Sequence, residues 1–231
     1  MGEFDGRVAI VTGASSGIGR RTAELLAQRG ARVTIFARSA EKLNAIARDG
    51  MLAVAGDVAN LADVERAFSA TESRFGRCDL LVNNAGMIDV APLVDMTLDQ
   101  WRRMFAVSVD AIFLTCRRAL PSMLERGAGA IVNVSSISGV PGPEKFPGWV
   151  SYCAAKGAVI SLTEALAVEV KPRGVRVNCV SPGSVDTPMW AEASGGAPAS
   201  MTPDEVAETI LFLASDRSRP INGQNLDVYS A

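Results

Sequence analysis

The sequence predicts an α/β fold: a single domain built on a doubly wound parallel β-sheet with helices on both faces. Three observations lead there. Short apolar runs alternate with longer segments of helical spacing along the chain. The runs are apolar throughout rather than at every second residue, as strands buried on both faces require. No repeat or linker divides the 231 residues, 48% of them hydrophobic, a length and composition that suit one large α/β domain.

The elements follow in order. Residues 7–12 (RVAIVT) make the first expected strand, ending at Gly13. Residues 20–28 carry apolar or small side chains at helical spacing, and Gly30 stops that helix. Residues 32–37 (RVTIFA) read as the second strand. A helix follows over 39–49, with Ser39 as N-cap and Gly50 past its end. Residues 51–55 form a strand, 61–75 a helix, and 79–82 (DLLV) a strand; one long helix is expected over 98–126. Residues 130–134 (AIVNV) are strand-like, 149–170 helical, 175–180 strand-like, 203–214 helical, and 225–228 the last strand. Right-handed crossovers between such strands give the Rossmann-like arrangement. Two segments lack apolar anchors. Residues 138–148 (SGVPGPEKFPG) are rich in Pro and Gly, and residues 191–200 (AEASGGAPAS) read as mobile.

Composition narrows the function. The formal net charge is −2, and the pairs Arg20-Arg21, Arg102-Arg103 and Arg117-Arg118 sit in helical sequence, so no electrostatic nucleic-acid binder is expected. Cys78, Cys116, Cys153 and Cys179 are far apart without a CxxC, which argues against zinc or thiol-redox chemistry and for a cytoplasmic setting. No signal peptide and no apolar stretch near the ~18 residues of a membrane span are seen. The chain has no histidine. That excludes Ser-His-Asp and Cys-His catalysis and any histidine metal site; no metal site is expected. Protons must then be moved by a carboxylate, a lysine, a tyrosine or a cofactor.

Five motifs carry the chemistry. Thr12 to Gly19 (TGASSGIG) follows a strand and opens a helix. Gly13 permits the tight turn, Gly17 lets backbone approach a pyrophosphate, and Gly19 lets the helix pack close to the sheet. The helix N-terminus adds free N–H groups and a positive dipole end. Asn83-Asn84-Ala85-Gly86 and Ser135-Ser136 each follow a strand, where a doubly wound sheet places its ligand crevice. In SYCAAKG, Tyr152 and Lys156 lie four residues apart, on one helical face. Taken alone, the pair reads either as a half-buried aromatic with a snorkelling lysine or as a proton donor beside an ammonium. The fifth motif is NCVSPGSVDTPM, from Asn178 onward.

Occurring in this order, TGASSGIG, NNAG, the serine after IVNVS, YCAAK and NCVSPGSVDTPM resemble the short-chain dehydrogenase/reductase family, in its single-domain branch, over essentially the whole chain. The resemblance implies a hydride-transferring oxidoreductase with Tyr152 as general acid/base. Lys156 is its partner and also bonds the nicotinamide ribose, while Ser136 holds the substrate oxygen. An ammonium and an oxidised nicotinamide are expected to bring a phenol from about 10 toward working pH. It further implies cofactor contacts at Gly13, Ser15, Ser16, Gly17, Ile18 and Gly19. Asp57 and Val58 would contact the adenine, and Asn83, Ala85 and Gly86 would lie beside its ribose. Pro182, Gly183, Val185 and Thr187 would surround the nicotinamide amide. Asn178 braces backbone. A homotetramer or homodimer is expected.

Two departures stand out. Ser108 occupies the place of the family's catalytic asparagine, which acts largely through its backbone carbonyl. Only 15 residues separate Thr187 from Pro203, too few for the usual pair of lid helices. Cofactor choice falls to the end of the second strand. An NAD site needs an acid there, but the sequence has Ala37 followed by Arg38, which favours NADP, with NAD possible. Ser15 and Ser16 stand where many NADP enzymes add a second basic residue. The expected reaction interconverts a secondary alcohol and a ketone. Val140, Pro141, Trp149, Met189 and Trp190 are candidates for an apolar substrate wall, and loops near 138–148 and 188–202 for the substrate side. A catalytically silent cofactor sensor of the same fold is the rival reading; an epimerase or dehydratase relative normally carries a further C-terminal domain.

Overall fold

The computed structural model describes residues 2–143 and 145–229; Met1, Ser230 and Ala231 of the expected domain, and Glu144 of the 138–148 segment, lie outside the described residues. Among the described residues, seven strands and eight α-helices follow one another. They are β1 (Val8–Thr12), α1 (Gly17–Gln28), β2 (Arg32–Ala37), α2 (Ala40–Ile46), β3 (Met51–Ala55), α3 (Leu61–Phe75) and β4 (Leu80–Asn83). Then come α4 (Leu98–Phe105), α5 (Ala111–Arg126), β5 (Gly129–Val134), α6 (Val150–Val170), β6 (Val175–Pro182), α7 (Pro188–Ala193), α8 (Pro203–Ala214) and β7 (Asn225–Val228).

The strands form one sheet in the order β3-β2-β1-β4-β5-β6-β7, every neighbouring pair parallel. The doubly wound expectation holds. The chain steps outward from β1 to β3, returns to β4 on the other side of β1, and steps outward again. The direction reverses between β1 and β4, and the crevice opens there at the strands' carboxyl ends.

Alternation along each strand builds two cores. Ala9, Val11, Leu80, Val82 and Val132 face α1, α2 and α8 on one side. Ile10, Leu81 and Ile131 face α3, α5 and α6 on the other. Because both faces are covered, both sets are apolar, which is why the strands read as continuous runs.

Three elements depart from the sequence reading. α1 starts at Gly17 rather than near residue 20, so the glycine loop is itself the first helical turn. The helix expected over 98–126 is broken by a π-helical segment, Ala106–Asp110, in which the N–H of Ala111 reaches back five residues to the carbonyl of Ala106. Segments of this kind often mark functional positions. The 191–200 stretch begins inside the short helix α7. No helix among the described residues is long and apolar enough to cross a membrane.

Candidate active site

β5 delivers Ser135 and Ser136 at its carboxyl end, and the first turns of α6 bring Tyr152 and Lys156 beside them. The Lys156 Nζ lies 5.7 Å from the centre of the Tyr152 ring. Both residues are buried. The helix backbone is held at this point: Ser135 Oγ donates to the Lys156 carbonyl at 2.7 Å. A Cβ on Gly139 would stand 2.5 Å from the Lys156 carbonyl carbon, so only glycine lets that turn approach. Lys156 Nζ donates to the Val134 carbonyl at 2.9 Å, which leaves two of its three protons for other partners. Gly86 borders the ammonium; a Cβ there would lie 3.5 Å from Nζ.

Burial dominates the electrostatics of both groups. Burial raises the Tyr152 phenol above its ordinary value, and the neighbouring Ser136 hydroxyl draws it partly back. The ammonium does not enter that balance in this structure; burial instead pulls Lys156 down to about 8. Desolvation is the largest influence on each group. At neutral pH the phenol therefore carries its proton.

Ser108 lies in the π-helical segment, which packs against α6, and is 1% exposed. Its hydroxyl makes only a long contact, 3.7 Å, to the Met104 sulfur.

The loop from Gly13 to Gly19 leads into an open helix N-terminus. Ser16 caps α1 without a side-chain hydrogen bond, and the first turn holds no acid. By contrast Ser39, Asn60 and Thr97 all accept a bond from their own helices. The first-turn N–H groups of α1 are thus left for an outside acceptor, where the dipole favours an anion. Gly17 has φ of 53° and faces the Thr187 methyl group, 2.9 Å from where a Cβ would sit. Ser15 is half-buried and Ser16 exposed, and Ile18 packs on the first core.

A latch that sequence reasoning missed holds this loop. Asn84 Nδ2 donates to the carbonyls of Thr12 and Gly13 at 3.1 and 3.3 Å. The backbone N–H groups of Asn84 and Ala85 both donate to Thr12 Oγ1 at 3.0 Å. A Cβ on Gly19 would collide with the Asn84 amide. Both residues stand inside recognised motifs, but a bond across 72 positions leaves no local signal. Asn83 faces the opposite way. Its side chain accepts from Thr115 at 2.8 Å and donates to Asn133 at 2.9 Å inside the core, so only its backbone is available to a ligand.

At the far end of the crevice Val58 is buried and Asp57 half-buried. The Asp57 N–H donates to Asp63 Oδ2 at 2.8 Å, and Asp57 Oδ1 accepts from Ala59 at 2.9 Å. Arg66 locks the turn, binding Asp63 at 2.5 Å and the Ala55 carbonyl at 2.6 Å. The Asp57 N–H and Arg66 hold the Asp63 carboxyl below its ordinary value. Arg38 follows the buried Ala37 at the end of β2 and is exposed. It joins none of the ion pairs among the described residues.

The end of β6 closes the ring. Gly183 N–H donates to the Val228 carbonyl at 2.8 Å, and Pro182 and Val185 are buried. Thr187 caps α7, its hydroxyl accepting from Trp190 N–H at 3.2 Å. Val185 bridges Met201 in parallel, which pins the base of the 186–200 loop. The candidates for the apolar wall differ in exposure: Met189 and Pro141 are exposed, Val140 and Trp190 half-buried, and Trp149 buried. Asn178 braces backbone as expected, bonding the Ile221 carbonyl and the Gln224 N–H.

The residues fit a dinucleotide. An open helix N-terminus, a glycine cradle and a lysine with free protons line one crevice in that order. Comparison with known proteins agrees. Residues 7–197 match the family model described as short chain dehydrogenase. D-threitol dehydrogenase of Mycolicibacterium smegmatis is 38% identical, covering 96% of this chain and 91% of that protein. Cis-4-hydroxycyclohexanecarboxylate dehydrogenase of Sinomonas cyclohexanicum is 41% identical over 99% of this chain and 97% of its own length. The crystal structure of a 3-ketoacyl-(acyl-carrier-protein) reductase from Brucella melitensis complexed with NADH superposes with a TM-score of 0.90 at 34% identity, covering 97% of each chain. With the fold, the motifs and these relatives in agreement, the chain belongs to the short-chain dehydrogenase/reductase family of NAD(P)-binding oxidoreductases that act on alcohols and ketones.

Proposed function

We propose that this enzyme interconverts a secondary alcohol and a ketone with NADP, using Tyr152 as general acid/base. The observation that carries the reading is the gathering of Ser136, Tyr152 and Lys156 at one end of a crevice whose other side is the open N-terminus of α1. The bound nicotinamide supplies the hydride in reduction and accepts it in oxidation.

The chain's own residues do the rest. In reduction Ser136 and Tyr152 donate hydrogen bonds to the substrate oxygen, bonds that strengthen as negative charge grows there. Tyr152 passes its proton to that oxygen; the raised phenol supports this role, because it keeps the group protonated until an oxyanion forms. Lys156, anchored on the Val134 carbonyl, turns its remaining protons to the phenol oxygen and the nicotinamide ribose. Ser108 takes part through its backbone carbonyl, a reading supported by the weak engagement of its hydroxyl.

Gly13, Ser15, Ser16, Gly17, Ile18 and Gly19 hold the pyrophosphate. Asp57 and Val58 hold the adenine, and the backbone of Asn83, Ala85 and Gly86 its ribose. Pro182, Gly183, Val185 and Thr187 hold the nicotinamide amide. Arg38 receives the 2′-phosphate, with no acid at position 37 to oppose it. The 138–148 and 188–202 loops form the substrate side. The enzyme works in the cytoplasm, supported by its four free cysteines, and as a homodimer or homotetramer, supported by exposed Phe113, Val150 and Val168 on α5 and α6. A panel of ketones and secondary alcohols assayed with both cofactors tests the reading. Turnover faster with NADPH than with NADH supports it; cofactor binding without turnover of any panel member favours a sensor.

A further inference from the structure

Trp149 stands at the N-cap of α6, three residues before Tyr152. Its neighbours Phe146 and Val150 are 45% and 44% exposed, yet Trp149 is buried. Three rings meet it. Phe146 lies 4.9 Å away between centres, tilted by 50°. Tyr152 lies 5.6 Å away at 83°, and Trp190 6.5 Å away at 75°. The last two are edge-to-face contacts, the orientation the ring quadrupoles favour.

Those two contacts reach different parts of the site. Tyr152 has only two side-chain torsions, so whatever fixes its ring fixes its hydroxyl. Trp190 belongs to α7, and its indole N–H donates to the Ala197 carbonyl at 2.8 Å, binding the helix to the turn after it. That turn contains Gly195 and Gly196, both in the left-handed region and both with open space around them. The loop is pinned at its base by the Val185–Met201 bridge. At its other end α7 rests on Trp149 through Trp190. Met104 and Ala155 complete the buried cluster, and Met87, Ile88 and Ala193 pack on its edge, so the contact lies inside a continuous apolar body.

We infer that Trp149 is a positioning residue that couples the seating of α7 to the aim of the Tyr152 phenol, one indole ring holding both in register. The inference rests on the reading of Tyr152 as the acid/base group. A substrate that seats α7 thereby fixes the proton donor, and a displaced α7 loosens it.

The test uses the full-length enzyme with NADPH and a ketone it reduces, in four variants: Trp149→Leu, Trp149→Phe, Trp190→Leu and the Trp149→Leu/Trp190→Leu double. Fluorescence titration gives the NADPH Kd, and thermal melting checks the fold. Trp149→Leu is expected to lower kcat about two- to tenfold, the range an edge-to-face pair contributes, with NADPH Kd changed less than twofold. Trp149→Phe restores most of kcat, because a ring edge is still offered to the phenol. Trp190→Leu raises the substrate KM, and in the Trp149→Leu background it adds little further effect. An unchanged kcat in Trp149→Leu, a Phe variant no better than Leu, or independent multiplication of the two effects overturns the inference. Should Trp149→Leu fail to melt cooperatively, the coupling in KM between Trp149→Phe and Trp190→Leu decides instead: non-additive supports, additive overturns. Tyr152→Phe separates the two levels. If it stays active, the acid/base reading fails; if it is inactive while Trp149→Leu is normal, only the coupling fails.

Discussion

Replacing Arg38 tests how this crevice chooses between two cofactors that differ by one phosphate. The guanidinium is exposed at the end of β2 and has no ion-pair partner among the described residues, so nothing in the protein competes with a ligand for it. A hydrogen bond to a charged group contributes roughly 1.5–3 kcal/mol, which is about 10- to 100-fold in affinity. An exposed position puts the expected value at the lower end, because water and salt screen the pair. Arg38→Leu should therefore lower kcat/KM for NADPH about tenfold and leave NADH within about twofold. Ala37→Asp should do more. It sets a carboxylate against the 2′-phosphate and offers an acceptor to the 2′-hydroxyl of NADH, penalising one cofactor and favouring the other. Position 37 is 7% exposed and packs in the first core, so the variant's melting temperature must be followed beside its kinetics. The assay is kcat/KM for both cofactors in wild type and both variants at fixed ionic strength. A wild type that prefers NADH, or an Arg38→Leu variant with an unchanged cofactor ratio, refutes the reasoning.

Three further outcomes are expected. Ser108→Ala should cost less than about tenfold in kcat, because the lost hydroxyl touches only the Met104 sulfur while the backbone carbonyl stays; a loss near 10³-fold, the scale of a lost acid/base group, would show that the hydroxyl is essential. Lys156, lowered from 10.5 to about 8, gives a signed pH effect. Between those values the unfolded chain binds more protons than the folded one, so this residue's destabilisation, about 3 kcal/mol below pH 8, is relieved as pH rises. Buried Cys78, Cys116 and Cys179, raised to about 12, 12 and 11, act in the opposite sense above about 9, so the comparison must be with Lys156→Met, which keeps them. The stability advantage of Lys156→Met should shrink by about 1 kcal/mol from pH 8 to 9 in denaturant titrations, and a constant difference would contradict the buried-ammonium picture. Light scattering should give a multiple of the 24.3 kDa chain mass at micromolar concentration; a monomer refutes the proposed assembly.

The sheet was legible because its strands are covered on both faces, so apolar runs such as RVAIVT and AIVNV mark them directly. The π-helical segment was not. No glycine or proline interrupts FAVSVDAI, and buried residues at 104, 108, 111 and 112 keep a spacing an unbroken helix also gives. The site was legible as types in order, because Tyr152 and Lys156, and Gly13 to Gly19, are close in sequence. What joins them was not: the Asn84–Thr12 latch, the approach of Gly139 to Lys156 and the Trp149–Trp190 contact each link residues far apart. Burial around the phenol was equally hidden. A tyrosine four residues from a lysine suggests a charge pair on paper, whereas burial, which spacing does not show, is the largest influence on each group in the fold.

The central claim is that Tyr152 moves the proton, and the most direct measurement is single-turnover oxidation of bound NADPH by a ketone in Tyr152→Phe. The variant keeps the ring against Trp149 and removes only the hydroxyl. The account predicts a rate about 10²- to 10⁴-fold below wild type with NADPH binding preserved. A rate within about threefold of wild type would contradict it.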